Sequence, residues 1–406
     1  DVRVYNGAVT TADVADLYAD THPCAATLDH LEIRMSNTAG LTCAPSTLTL
    51  VACKDAACTG NFTDGVSGTL TATGPGMSVS WPSGAAFTIP AGSSSTTVNM
   101  QLTTAGSVLV GSSGLTPSAT SATTCNFGSP QCTFSAAAAA LRFDVPNHVS
   151  ETSNVISVQA VGSSGGTCNS AFASSSRNIN FKCSYTNPGT GTRPVRVAGA
   201  ALNSGNNNAL ACDGTGRTVT LAFDASGLAS TTVQYADVGK MVLSATYTGS
   251  AGPGDSGLTM TGSDTFIAAP ASFGFSGITS GPIRAGSAFS ATLDARNLAG
   301  ATTPNFARET PPESVVLAFS RYQPTGTGAS NGNFSGNLGA FTSGSASATD
   351  LTWSEVGTID LNASLASANY LGSGFTASGS TGSTGAVGRF IPHHFDLAAT
   401  AACGSF

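Results

Sequence analysis

The sequence predicts an all-β chain of tandem immunoglobulin-like antiparallel β-sandwiches, stapled by disulfides. Three observations predict it: short segments that alternate polar and apolar residues, one corner motif written twice, and cysteines in close pairs.

The alternating segments are "STLTLVAC" (46–53), "STTVNMQL" (95–102), "RTVTLAF" (217–223), "KMVLSATY" (240–247) and "SAFSATLDA" (287–295). Period two turns one face toward a core and the other toward water. Clusters of Gly, Ser, Pro and Asn separate them, and many short strands with frequent turns indicate sandwiches. Helical periodicity is found around "TADVADLYA" (11–19), where Val14, Leu17 and Tyr18 follow Thr10 or Thr11 as a cap.

The repeated corner reads "YADVGKMVLSATY" at 235–247 and "WSEVGTIDLNASL" at 353–365, so Asp237 and Gly239 answer to Glu355 and Gly357. Glycine takes a backbone angle that a side chain resists, and the acid two residues earlier can accept turn amides. Beyond the corner, Met241, Leu243 and Ala245 fall on one face, as do Ile359, Leu361 and Ala363. Immunoglobulin-type sandwiches have such a corner where they enter their penultimate strand. "FIAAPASF" (266–273) and "FIPHHFDL" (390–397) repeat behind it at nearly the same spacing, as a last strand leading into the next domain. "SNVISVQAVGSSGG" (153–166) and "RAGSAFSATLDARNLAGATTPNF" (284–306) read as opening hairpins. These landmarks place sandwiches at 24–145, 146–270 and 271–397. They leave a piece of another domain at 1–23 and the start of a further one at 398–406. A chain of 406 residues suits about three domains.

Ten cysteines, an even number with close pairs, point to disulfides and an oxidising compartment. The expected bridges are Cys53–Cys58, Cys125–Cys132 and Cys168–Cys183, then Cys24–Cys43; Cys212 and Cys403 stay unassigned. Zinc is the rival reading, but none of these spacings is a repeated two-residue knuckle.

Composition excludes other classes. Only 9% of residues are charged and the net charge is −7, with no basic run to neutralise phosphates, which argues against nucleic acid. No apolar run is long enough for a membrane-spanning helix. With no signal peptide at Asp1, the chain reads as a mature piece of an exported protein, cut at both ends from something longer.

Candidate chemistry is sparse. His393 and His394 are adjacent; on a strand they point to opposite faces, which favours packing at a domain junction over a metal site. His22, His30 and His148 are isolated. No Gly-x-Ser-x-Gly elbow is present. Asp237 and Glu355, as a pair, would suit acid–base work, but equivalent positions in separate domains are better read as turn caps. "NSGNNNALACDGTG" (203–216) offers Asn206, Asn207, Asn208 and Asp213 as calcium ligands without matching a known calcium-loop spacing, so a polar surface loop is the competing reading. Trp81, in "SVSWPSG", is the candidate for stacking on a sugar; Trp353 opens the second corner and is read as core or rim packing. No catalytic group and no cofactor is expected.

The ordered landmarks "LTCAPSTLTLVACKDAAC", "LRFDVPNHVS", "YADVGKMVLSATY", "TPNF", "WSEVGTIDLNA" and "GRFIPHHFDL" resemble the large C-terminal domain of MshQ-like proteins over about residues 28–406. Those proteins are encoded with mannose-sensitive haemagglutinin pili, a type IV pilus system. Residues 1–22, "DVRVYNGAVTTADVADLYADTH", are similar to the tail of a concanavalin A-like, laminin G-type lectin domain. The resemblance implies a non-enzymatic adhesin or stalk, extracellular or on the outer surface of a Gram-negative bacterium. Its partners would be other surface or pilus proteins and glycans. The alternative is a filament subunit that self-assembles through strand pairing.

Overall fold

Alternating segments become strands where both faces of a sheet find their solvents. In "STTVNMQL", Val98, Met100 and Leu102 are buried while Ser95 and Thr97 are exposed, and the strand is Ser95–Leu102. A computed structural model describes residues 8, 10–11, 27–35, 39–128, 131–164 and 167–398. The chain is nearly all β, and the helical element described within the sandwiches is one 3₁₀ turn, Tyr370–Gly372. The tail-like segment 1–22, the helix expected at 11–19, and Cys24 and Cys403 lie outside the described residues, save positions 8, 10 and 11.

The chain divides into two units. The first is Asp1–Ala139 with Gly162–Asn169. Its sandwich sets the sheet Val79–Ser80, Ser95–Leu102, Ser46–Cys53, His30–Arg34, Thr124–Cys125 against the sheet Ala39–Leu41, Thr133–Ala137, Gly106–Thr116, Val66–Thr73, Ala86–Ile89. Leu31, Leu48 and Leu50 of one sheet meet Leu70, Val108 and Phe134 of the other in a single core.

The second unit is Ala140–Val161 with Ser170–Phe406 and holds two sandwiches. One uses Asn154–Ser164, Ser175–Asn187, Arg217–Phe223, Leu228–Tyr235, Gly239–Thr248 and Thr259–Ala269. The other packs Ser272–Ser276, Phe289–Arg296, Ser345–Trp353 and Phe334–Ser335 against Ser280–Arg284, Val387–Ile391, Gly357–Leu365 and Val315–Gln323. All three sandwiches share one device: a short early strand runs parallel to the last strand. The pairs are Ala39–Leu41 on Thr133–Ala137, His148–Val149 on Thr259–Ala269, and Ser280–Arg284 on Val387–Ile391.

The segment 284–306 is not a hairpin. Phe289–Arg296 pairs with Ser272–Ser276 and Ser345–Trp353, and the residues after it form a loop that a bridge from Arg296 to Thr302 closes.

The structure joins Cys53 to Cys58 and Cys125 to Cys132. It joins Cys43 to Cys168 and Cys183 to Cys212, so the expected Cys168–Cys183 and Cys24–Cys43 bridges give way. The reason is strand length. Cys183 stands eight residues into Ser175–Asn187, roughly 26 Å along the strand from its start. The hairpin that carries Cys168 is therefore out of reach, whereas the loop after Ala200–Ala201 brings Cys212 to it. Peptide mapping under non-reducing conditions should recover a Cys43–Cys168 cross-linked pair and a Cys183–Cys212 pair, and no Cys168–Cys183 species.

Candidate functional site

The corner at 235–239 is where the two sandwiches of the second unit meet. Leu228–Tyr235 ends at Tyr235, the chain turns, and Gly239–Thr248 returns through the same sandwich. Gly239 makes the turn at φ +130°, where a Cβ would lie 2.8 Å from the backbone oxygen of Asn187. The turn presents Asp237 and Val238 to the next sandwich. Asp237 Oδ1 accepts the Val238 amide at 2.9 Å and the Asn305 amide at 3.0 Å. Asp237 Oδ2 is buried with no partner among the described residues. Burial pushes this carboxyl up to about 6; the two amides, Arg193 and Arg308 offset only part of that.

Asn305 completes the junction. Its Nδ2 donates to Tyr235 Oη at 3.2 Å and lies 3.4 Å from the Val238 carbonyl, while Oδ1 accepts Arg308 Nη1 at 3.1 Å. Arg308 also donates to Thr190 Oγ1 at 2.9 Å. Asn187 and Thr310 bond to each other twice, at 2.8 and 3.1 Å. Asn297 donates to the Ala236 carbonyl at 3.0 Å, and the Leu298 amide to the Ser150 carbonyl at 3.0 Å. Behind these bonds lies a shared apolar core: Val238, Ile267 and Ala269 of one sandwich pack with Phe273, Phe306 and Tyr370 of the next. Tyr370 donates to the buried Glu309 carboxylate, whose pKa burial raises. Apart from Asp237 Oδ2, the polar groups named here have partners, which makes the arrangement specific.

Asn305→Ala keeps the backbone amide to Asp237 but strips the side chain from Tyr235, Val238 and Arg308. The expected loss is roughly 1–3 kcal/mol. Hydrogen exchange should rise at the amides of Val238 and Asn305 while those of the first sandwich stay unchanged.

The second corner is built differently from the first. Gly357 turns at φ +128°, with a Cβ position 2.0 Å from the Gln323 carbonyl oxygen. Trp353 is fully buried between Phe319 and Phe390, and its Nε1 donates to the Asn331 carbonyl at 2.7 Å. Glu355 is half-exposed and, among the described residues, accepts no turn amide. It is therefore not a cap here: among the described residues no amide reaches it as the Asn305 amide reaches Asp237. The contrast extends outward. Val238 is 0% exposed and its counterpart Val356 is 40%; Ile267 is 9% and Ile391 is 39%; Phe273 is 3% and Leu397 is 99%.

A third corner escaped sequence reading. Leu102 is buried at the end of its strand and Gly106 follows four residues later at φ +150°, the spacing of Tyr235 to Gly239 and Trp353 to Gly357. Thr104 stands where the acid stands in the other copies, so the motif lost its most visible letter. The burial of its first residue and the glycine spacing were the remaining signals.

The other candidates hold no ligand geometry. Asn206 Oδ1 accepts the Ala201 amide, Asn207 Oδ1 accepts the Ala209 amide, and Asp213 accepts Ser204 and Thr215 amides. Those bonds hold the Asp213 carboxyl well below the usual range, first through Ser204. Asn206, Asn207 and Asp213 thus brace their own loop, and Asn208 lines a small open cleft with Glu151, Arg193 and Arg196. Trp81 is half-buried against the first core, which leaves one part of the ring for contact. His393 and His394 lie beyond the last strand, Val387–Ile391, so strand alternation does not separate them; their Nδ1 atoms are 3.1 Å apart on the surface. Among the described residues no serine hydroxyl is hydrogen-bonded to a histidine, and no helix is long and apolar enough to cross a membrane.

Comparison with known families follows this architecture. Residues 122–263 match the first Ig-like domain of DUF6701, a domain of unknown function, and residues 355–406 match the third domain of DUF6701. Residues 28–118 match a second domain of unknown function, DUF8613. No curated protein matches the chain. Among solved structures, the D0–D1 domain of intimin is similar at 14% identity over 59% of this chain and 99% of its own, with a TM-score of 0.27. The Escherichia coli adhesin FdeC is similar at 15% identity over 83% and 91%, with a TM-score of 0.28. Invasin, a bacterial integrin-binding protein, is similar at 10% identity over 89% and 60%, with a TM-score of 0.26.

Proposed function

We propose that this chain is a non-enzymatic extracellular surface protein, an adhesin or its stalk, in which tandem sandwiches carry a binding head away from the cell. The observation that supports it most is the sealed junction in the second unit. A shared core of Val238, Ile267, Phe273, Phe306 and Tyr370 makes two sandwiches bend as one body, which a stalk needs and an enzyme hinge would not tolerate. Four disulfides among the described residues and a sparsely charged sequence suit exposure outside the cell. The exposed Val356, Ile391 and Leu397 match the face that the second sandwich uses to dock the third. With this reading go sandwiches at 24–145, 146–270 and 271–397 and a further one beginning near 398. Association with a type IV pilus and a lectin-type head at 1–23 rest on the sequence resemblance alone.

The test is immunogold electron microscopy of intact cells with an antibody against residues 24–397. Discrete labels on the outer surface or at pilus ends support the stalk. Labelling that appears only after the envelope is opened overturns it. Continuous labelling along a fibre would instead make the chain a filament subunit.

A further inference from the structure

We propose that His30, Glu32, Cys53 and Cys58 form a zinc site in the reduced chain, at the place that the Cys53–Cys58 disulfide occupies after oxidation. The register sets the ligands on one face. His30 lies directly opposite Cys53 across the antiparallel pair, and Glu32 lies two residues along the same strand. Side chains two apart share a face. Leu31, Ile33 and Ala52 alternate to the other side, into the first core. Cys58 comes over this outer face from the following loop. One ligand atom from each of the four residues falls within 4.8 Å of all the others.

The donor set is chemically apt. Two thiolates, one imidazole and one carboxylate are zinc ligands, and tetrahedral zinc needs donor spacings of roughly 3.3–3.8 Å. The two sulfurs, bonded to each other in this structure, must part to that spacing on reduction, and the widest spacing in the cluster has about 1 Å to close. The outer groups are in place as well. Asp29 Oδ1 lies 2.8 Å from His30 Nδ1, so the carboxylate takes the proton on that nitrogen and leaves Nε2 to bind. Arg34 donates to Glu32 at 2.6 Å and offsets the negative charge of the ligand set. His30 is 2% exposed, although it sits on the outer face of its sheet.

Hydrogen bonds as well as the sulfur–sulfur bond brace the loop. Asp55 accepts the amides of Ala57, Thr59 and Gly60 and the Thr59 hydroxyl. The Cys58 amide donates to the Asp55 carbonyl at 3.0 Å, and Lys54 to Gly60 at 2.9 Å. On this proposal these bonds keep both thiols beside His30 and Glu32 before the bridge closes. The chemistry balances: one zinc ion displaces two thiol protons to solvent and forms two zinc–sulfur bonds. Later two-electron oxidation by a disulfide donor releases the zinc, forms the sulfur–sulfur bond and leaves the donor as two thiolates, which take two protons from solvent to become thiols. Zinc would hold this loop in a newly made chain, and the disulfide would hold it in the exported one.

The experiment uses the full chain, reduced with a phosphine without oxygen or metal, then given zinc or cobalt. Circular dichroism comes first, because the site requires a folded reduced chain. The expected result is a retained β spectrum and zinc bound with a shell of two sulfurs plus nitrogen and oxygen by X-ray absorption. The Cys58→Ser chain should bind one equivalent less, and the His30→Gln chain should lose the nitrogen. Asp29→Asn, which removes no ligand, should bind roughly 10–100-fold more weakly. A shell of four sulfurs, no loss in Cys58→Ser, or no change in His30→Gln overturns the site. So does a reduced chain that unfolds and is not refolded by zinc.

Discussion

A Gly357→Ala chain loses roughly 2–6 kcal/mol from its third sandwich, read as a thermal transition lower by on the order of 10 °C. Two effects add. Alanine resists φ +128°, and its Cβ would sit 2.0 Å from the Gln323 carbonyl oxygen and 2.9 Å from Pro324 Cδ. Neither neighbour is the end of a flexible side chain. The Gln323 carbonyl belongs to a strand paired with Gly357–Leu365, so relief requires that pair to separate. The three corners form a graded series. At Gly239 the nearest backbone oxygen is 2.8 Å away, and at Gly106 the neighbour is Met77 Sδ, a side chain that can move. The expected order of loss is therefore Gly357, then Gly239, then Gly106. The chain has two tryptophans. In a Trp81→Phe background, fluorescence comes from Trp353 alone and reports the third sandwich. A shift of less than about 2 °C for Gly357→Ala would show that the corner is not constrained as described.

Much of the fold was legible because the same physics writes strands and corners in sequence. The segment "RTVTLAF" alternates because Val219, Leu221 and Phe223 face a core while Thr218, Thr220 and Ala222 face water, and it became the strand Arg217–Phe223. The glycine of the corner was legible because no other residue takes its angle there. The role of its acid was not. Asp237 and Glu355 occupy the same letter of the motif, yet one is sealed in a junction and the other lies at a surface. What separates them is the loop containing Asn305, which arrives from 68 residues away in sequence. Cysteine pairing failed for the same reason. Proximity along the chain suffices for Cys53 and Cys58, inside one loop closed by the bridge from Cys53 to Asn61, but not for Cys183, whose partner comes from the loop after Ala200–Ala201. The oxygens of Asn206 and Asp213 likewise read as ligands in sequence because the backbone amides that consume them are invisible there.

Asp237 gives the junction a dependence on pH whose sign runs opposite to that of an ordinary paired carboxylate. Its carboxyl is pushed from 3.8 to about 6, first by burial. The folded state therefore binds this proton more readily than the unfolded one between those values. The contribution is fully present below about pH 4 and is lost as pH rises through 6, for a total of roughly 3 kcal/mol. Above pH 7 the fold carries a buried anion, held by two amides, with one oxygen unpartnered. Asp237→Asn keeps the oxygen that accepts the Val238 and Asn305 amides and cannot ionise. The variant should be more stable than the parent at pH 7.5 and close to it at pH 4, by denaturant unfolding followed through Trp353. The difference between the two chains is the quantity to read, since other groups titrate nearby. His148, which burial keeps neutral, contributes stability that is lost as pH falls, and Asp213, Asp224 and Asp255 do the same at lower pH. Glu309, raised by burial, adds to the slope of Asp237. All of these cancel between parent and variant. If Asp237→Asn were the less stable chain at pH 7.5, the amides and the guanidinium groups of Arg193 and Arg308 would outweigh burial, and the carboxylate would be the junction's anchor rather than its cost.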